Sequence, residues 1–496
     1  MTDSRYIYEA DWRDYAFEPK EVNFASDDEI KDRFKCIELT QKNVDGSGIT
    51  ILTEGNTSYV NDKTEMAMIF GGTGSKKTRA VIAPLICTLA KSRESMIILD
   101  VKGELSTGAL APYVRGSLSD AGYKQVFLDF RDMNADSINI MEPAYEMYQS
   151  GDKDGAMREI ANIAALIGEN SRGKSNDPYW DNTASLLFVS LCALLLKVGA
   201  RKDQFNMLTI ASYMNERVVD KLAGLLSQYE STDVNIVNLK TIVGLPDKTR
   251  MCVLSTLSSM MEPFINNNML LNMLSNSSFT IEELYERHTA IFIIVPDEVS
   301  TYDMAAGLII KQIDSKLVSD AYEMNGKLPR RVNFICDEFC NYKIRDAARS
   351  VSSDRSRNIR WFYVCQSLGQ LEKAYPDDYE VILANCADLF YLNSSEMRLL
   401  EYLSKRSGVR TDNLQGESRP LITVQQLQSL KKTDAYAEAY YVSKGINFVT
   451  KLLDISAYEC YKKHESRKFM LMKRKQGKAN VMVIEELCKY FRKRFG

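Results

Sequence analysis

The sequence predicts an α/β fold: a mostly parallel sheet covered by helices on both faces and interrupted by an inserted all-α domain. Three patterns predict it. Short apolar runs alternate with helical stretches from residue 65 to 129, helical spacing replaces them between about 140 and 283, and apolar strand runs resume from 290 to 391. Parallel strands are buried on both sides, so they read as continuous apolar runs, and strand–helix–strand alternation is the wiring such sheets require.

Taken in chain order, a polar segment (1–47) leads into a hairpin-like stretch at 48–59. The first sheet strand, 65–70, runs into Gly71-Gly72-Thr73-Gly74, and a helix is expected at 78–90. The runs SMIILD (95–100) and QVFLD (125–129) follow as buried strands around a helix at 108–121. Within the insertion, apolar residues recur at helical spacing through 156–167, 180–198, 207–225 and 251–274. Strands then return as AIFIIV (290–295), VNFIC (332–336), WFYVC (361–365) and DLFY (388–391). The expected domains are therefore 48–140 and 284–455 for the two parts of the sheet, 141–283 for the all-α insertion, and 456–496 for a basic tail.

Composition narrows the classes. With 45% hydrophobic and 26% charged residues the chain is ordinarily globular. Its 63 basic and 66 acidic residues nearly cancel, so the net charge neither announces nor excludes nucleic acid. The charge is uneven: residues 461–496 carry twelve Lys/Arg against three Asp/Glu. Such a tail could touch phosphates or an anionic membrane, but 481–491 alternates apolar and basic residues as a solvated helical face does. His288 and His464 are the only histidines, which argues against a His-based triad or zinc site. Ten scattered cysteines without a Cys-x-x-Cys pattern point to buried free thiols in a reducing compartment. Residues 1–15 are polar and acidic and carry no signal-peptide pattern, and the longest apolar run, 184–196, fits a buried core helix better than a bilayer span.

The chemistry concentrates in four places. Gly71-Gly72-Thr73-Gly74-Ser75-Lys76-Lys77-Thr78 follows an apolar strand and precedes a helix. In that setting glycines let backbone N–H groups approach phosphates, a lysine reaches the β/γ oxygens and a threonine hydroxyl holds Mg²⁺. Lys77 and Thr78 fit the last two roles. Lys76 stands where that pattern wants glycine, and a side chain there crowds the phosphate or strains the backbone. A glycine-rich turn without nucleotide is the plain alternative.

The strand 332–336 ends in Asp337-Glu338, so Asp337 is placed in a Mg²⁺ shell and Glu338 beside the attacking water. Two acids capping the next helix would look the same. Gln366, at the carboxyl end of strand 361–365, is expected to sense the γ-phosphate, unless it is a surface glutamine. Arg355 and Arg357 precede that strand; on their own they read as a surface pair, yet an arginine delivered to a neighbour's γ-phosphate would complete a site between subunits.

Together these residues resemble the TraG/TraD-type coupling ATPases of conjugation and type IV secretion, in the FtsK/HerA group of RecA-like P-loop NTPases. The likeness runs from about residue 48 to 411. It includes Leu99-Asp100-Val101-Lys102-Gly103-Glu104-Leu105, similar to the family's D-P-K-G-E-L with Val101 in place of proline, then Tyr179-Trp180 and IIVPD at 293–297. Its most specific stretch is Asp337-Glu338-Phe339-Cys340-Asn341, then Arg355-Ser356-Arg357, then Gln366-Ser367-Leu368-Gly369-Gln370-Leu371, with Asn385-Cys386 and Ser404-Lys405 downstream.

The resemblance implies an ATP- and Mg²⁺-dependent ring of about six subunits. Such a ring moves single-stranded DNA, or a relaxase–DNA conjugate, toward a type IV secretion channel. It also implies Lys77 and Thr78 as Walker A, Asp337 and Glu338 as Walker B, Gln366 as sensor, and Arg355, then Arg357, as the arginine finger. Two features depart from the family: Lys76, and the absence of the membrane-spanning helices with which the family usually begins. A cytoplasmic chain recruited to the inner face of the membrane by a partner fits the second. A non-hydrolysing coupling scaffold and a duplex-DNA segregation motor are the competing functions.

Overall fold

The computed structural model of the protein describes residues 23–63, 66–168, 177–298, 301–411, 418–443, 445–471, 473 and 479–495. Strands β1 (Lys35–Glu38), β2 (Ile49–Glu54) and β3 (Thr57–Asn61) form a small antiparallel sheet in the order β1-β3-β2. The expected hairpin at 48–59 is the β2–β3 pair. Residues 1–22, and with them the polar opening at 1–15, lie outside the described residues.

The main sheet holds β4 (Met66–Gly71), β5 (Ser95–Val101), β6 (Lys124–Asp129), β7 (Thr289–Val295), β8 (Val332–Cys336), β9 (Ile359–Cys365) and β10 (Asp388–Leu392), all parallel. A short pair, β11 (Val409–Thr411) and β12 (Ser418–Pro420), stands apart, and β13 (Tyr436–Ser443) and β14 (Ile446–Leu453) extend one edge of the sheet as an antiparallel hairpin. The full order is β14-β13-β10-β4-β9-β8-β5-β7-β6. Every strand expected in the main sheet is present and the sheet is mostly parallel, as the apolar runs predict. The β13–β14 hairpin was not anticipated, because its alternating polar residues lack the continuous apolar signature of a doubly covered strand.

Both faces are packed. Along β4, Met66, Met68 and Phe70 enter one apolar core, while Ala67 and Ile69 enter another beneath helices Ala83–Ser92 and Ala111–Asp120. This is the period-two alternation of a strand whose every residue is buried. Between β8 and β9, Phe334 stacks on Trp361 with ring centroids 3.9 Å apart and planes 8° from parallel. Such a pair adds roughly 0.5–1.5 kcal/mol beyond its buried area.

The registers bring the functional strands into line. Phe70 sits opposite Cys365, Cys365's neighbour Val364 opposite Ile69, and Cys336 opposite both Tyr363 and Leu99. The loops after β4, β8 and β9 therefore leave the sheet along one edge. Because β9 lies between β4 and β8, whatever follows β9 emerges between the glycine loop and the acidic pair. Ligands in open α/β sheets bind at this carboxyl edge.

Between β6 and β7 the chain is helical, as the spacing predicts, with finer breaks than expected. The 207–225 stretch divides into Met207–Ser212 and Glu216–Ser227, because Asn215 caps the second helix by accepting from Arg217 N at 3.0 Å. Asn267 likewise opens Asn268–Met273 after Asp247–Ile265. Asp233 caps an unexpected helix, Val234–Val243. Helix Pro178–Val198 is long and apolar enough by composition to cross a membrane, longer than the 184–196 run alone suggested, but 61% of its apolar window is buried against its neighbours.

The final helix, Ile484–Phe495, also packs here. Met482, Ile484, Leu487 and Phe491 are buried, Tyr213 donates to Met482 O at 2.7 Å, and Arg492 and Lys493 face outward. An apolar stripe inside with basic residues outside is the solvated-face arrangement.

Candidate nucleotide site

The glycine loop is tightly packed at its first residue. A Cβ at Gly71 would stand 2.5 Å from Ser75 Oγ and 2.8 Å from Leu392 O, so the close approach admits only glycine. Gly74 and Lys76 both turn left-handed, with φ of 71° and 72°. The following helix begins with a widened π-helical turn, Lys77–Ile82, before Ala83–Ser92, an irregularity common at functional sites.

Lys77 is buried and its ammonium folds back onto the loop. It donates to Gly71 O at 2.6 Å and Gly72 O at 3.3 Å, and lies 3.9 Å from Glu338 Oε1. Thr78 Oγ1 donates to Asp337 Oδ2 at 3.2 Å, a contact between residues 259 apart in the chain. Glu338, itself left-handed at φ 51°, accepts from Gln366 Nε2 at 3.0 Å. Nine of the expected residues are thus brought together: Thr73, Gly74, Ser75, Lys76, Lys77, Thr78, Asp337, Glu338 and Gln366 line one open cavity of about 540 Å³.

The electrostatics of this cavity suit a phosphate with a divalent cation. Burial, then the neighbouring Glu338, pushes the Asp337 carboxyl up to about 7, against the pull of Lys77 and Thr78. A buried acid raised in this way is relieved by a divalent cation, which takes oxygen ligands from carboxylates, hydroxyls and phosphates. Ser75 Oγ is buried without a hydrogen-bond partner. The Lys77 ammonium faces two loop carbonyls and the Glu338 carboxylate, and a phosphate would give it a further charged acceptor. The groups present fit a Mg²⁺–nucleotide.

Other residues lining the cavity escaped the sequence-based choice of site: Arg79, Lys102, Glu104, Asp297 and Asn341. Four of them stand inside stretches already noted, 99–105, 293–297 and 337–341. Lys102 pairs with Asp297 at 2.7 Å, which joins those two loops at the rim. Asp100 shapes the first by accepting from Leu105 N at 2.9 Å and Ser106 N at 2.8 Å. Glu396 supports the Gln366 loop, accepting from Leu368 N at 2.6 Å and Gly369 N at 2.8 Å.

Arg355 and Arg357 do not join this cavity. They precede β9 at its amino end, and seven residues of strand separate them from Gln366, about 20 Å at the rise of an extended chain. Asp354, fully buried, anchors that segment by accepting from Trp361 Nε1 at 2.7 Å. Within one chain, then, neither arginine reaches the phosphate position.

A parallel sheet with a lysine–threonine loop after one strand and paired acids after another defines the RecA-like P-loop fold. The family model for conjugative DNA transfer by the type IV secretory system matches residues 23–440, and this chain belongs to that family. Among solved structures, the plasmid coupling protein TrwB in complex with the non-hydrolysable ATP analogue ADPNP aligns with a TM-score of 0.58 at 14% identity, over 93% of this chain and 96% of that one. TrwB with ADP and Mg²⁺ gives 0.57 at 14% identity over the same shares. TrwB with the GTP analogue GDPNP gives 0.55 at 15% identity, over 93% and 100%. At such identities the likeness speaks for the fold. Among curated proteins none matches this sequence.

Proposed function

We propose that this chain is an ATP-driven coupling motor that delivers single-stranded DNA, or a relaxase–DNA conjugate, to a type IV secretion channel. The observation that carries the reading is the Thr78–Asp337 contact beside the Lys77–Glu338 pair, because it assembles both halves of a Mg²⁺–nucleotide site from distant segments. Membership of the conjugative DNA transfer family supports DNA as the cargo and a type IV secretion channel as its destination. The nucleotide complexes of TrwB support ATP and Mg²⁺ as cofactors here.

Each residue then has a defined task. The loop from Gly71 to Thr78 cradles the phosphates with backbone N–H groups, and Lys77 exchanges its loop carbonyls for phosphate oxygens. Thr78 and Asp337 would hold Mg²⁺, which when bound neutralises charge on the β and γ oxygens. Glu338 accepts the proton of the attacking water. Gln366, hydrogen-bonded to that carboxylate, reports whether the γ-phosphate is present.

Arg355 serves the neighbouring subunit. An arginine at the far edge of its own sheet can complete a site only on a neighbouring copy, as the head-to-tail contacts of a homo-hexameric ring would arrange it. The chain acts at the inner face of the cell membrane, brought there by a membrane partner, with its sheet domain at 48–140 and 284–455 as the motor and the helical 141–283 as an appendage.

The test is ATP turnover by the assembled protein alone, with single-stranded DNA and with duplex DNA. Stimulation by single strands, lost on Arg355→Ala with nucleotide affinity retained, is the expected result. Bound nucleotide without DNA-stimulated turnover would mean a coupling scaffold, and stimulation by duplex alone a segregation motor. An arginine finger contributes about 10³-fold or more to turnover, so the Arg355→Ala effect is easily read.

A further inference from the structure

Lys76 occupies the position where a phosphate loop ordinarily has glycine, and its backbone takes the left-handed conformation that glycine adopts freely (φ 72°, ψ 20°). Its side chain shows what sustains that conformation. Instead of entering the cavity, the ammonium reaches across to the β13–β14 hairpin, donating to Asp434 O at 2.8 Å and Asp454 Oδ2 at 2.9 Å. Asp454 lies 378 residues further along the chain and is fully buried.

The same carboxylate receives Arg79 through a two-pronged contact, Nε to Oδ2 at 2.7 Å and Nη2 to Oδ1 at 2.8 Å. Ser456 adds its N–H at 3.1 Å and its hydroxyl at 2.8 Å. Burial pushes the carboxyl up, but the bonds from Arg79, Lys76 and Ser456 outweigh it and hold the group well below the usual carboxylate range. It is therefore an anion at any physiological pH. From the segment leading into β13, Lys432 donates to Gly74 O at 2.9 Å, so the loop is gripped at both of its left-handed residues.

We propose that Asp454 is a positioning residue for the nucleotide site, which holds Lys76 and Arg79 so that the loop keeps, with a lysine, the turn that glycine would otherwise supply. Lys76 is thus compensated, not inhibitory, and the edge hairpin becomes part of the phosphate loop's support. The inference rests on the nucleotide reading above. It adds that binding depends on a side chain that touches no phosphate.

The experiment measures the affinity of the full chain for a fluorescent non-hydrolysable ATP analogue in Mg²⁺. Asp454→Asn should weaken binding about tenfold, since a left-handed non-glycine residue loses its tether. Adding Lys76→Gly to Asp454→Asn should restore affinity to within about threefold of wild type, because glycine needs no tether. A purely structural role predicts no such rescue.

Lys76→Met covers the case in which Asp454→Asn fails to fold, as it leaves Asp454 its Arg79 partner. It should bind about tenfold more weakly than Lys76→Gly. Affinity unchanged in Asp454→Asn, absence of rescue in the folded double variant, or equal binding by Lys76→Met and Lys76→Gly would each overturn the inference. A wild-type chain that binds no analogue would instead bring down the nucleotide reading, and this inference with it.

Discussion

Glu338→Gln is expected to bind nucleotide with affinity within a few-fold of wild type while turnover falls about 10³-fold, as loss of a general base does. The separation follows from geometry. Glu338 does not contact the loop backbone; its carboxylate lies 3.9 Å from Lys77 Nζ and accepts from Gln366 Nε2 at 3.0 Å. A glutamine preserves the shape and can still accept from Gln366, but it cannot take a proton from water. Single-turnover measurements on prebound ATP give the cleanest reading, because they remove product release from the rate. A variant as active as wild type would take Glu338 out of catalysis and leave Asp337 as a ligand without a base beside it.

Lys77→Ala should weaken nucleotide binding by at least about 100-fold, the size of two charge-assisted hydrogen bonds lost together. The buried ammonium is a charged donor of the cavity, and its present partners, the Gly71 and Gly72 carbonyls, are ones it can release. Its removal also takes away one of the three interactions that lower the Asp337 carboxyl, so Asp337 becomes harder to keep charged. Equilibrium binding of labelled ATP checks this. Unchanged affinity would show that the loop is a glycine turn with no phosphate role.

Much of this architecture is legible in the sequence because its signals are local. The runs at 95–100, 290–295, 332–336 and 361–365 announce doubly covered strands, and a loop or acid pair at the end of a strand must sit at the carboxyl edge. The order β4-β9-β8, which sets Gln366 between the loop and the acids, is a property of pairing and not of any segment. The helical breaks at Asn215 and Asn267 turned on single capping side chains within otherwise continuous periodicity. Least legible was the role of Asp454. Nothing near Leu453 marks that aspartate, and its meaning arises only when the β13–β14 hairpin folds against a loop at the other end of the chain. The departure at Lys76 is a local feature of the sequence; its tether to Asp454 is a long-range one.

The central claim is that one Mg²⁺–nucleotide is held jointly by the glycine loop and the acidic pair. Titration calorimetry of the wild-type chain with ATP, with and without Mg²⁺, tests it most directly. The account predicts one nucleotide bound per chain, with affinity that falls sharply when Mg²⁺ is chelated and falls again in Asp337→Asn. Binding indifferent to both Mg²⁺ and Asp337, or no heat of binding at millimolar ATP, would contradict it.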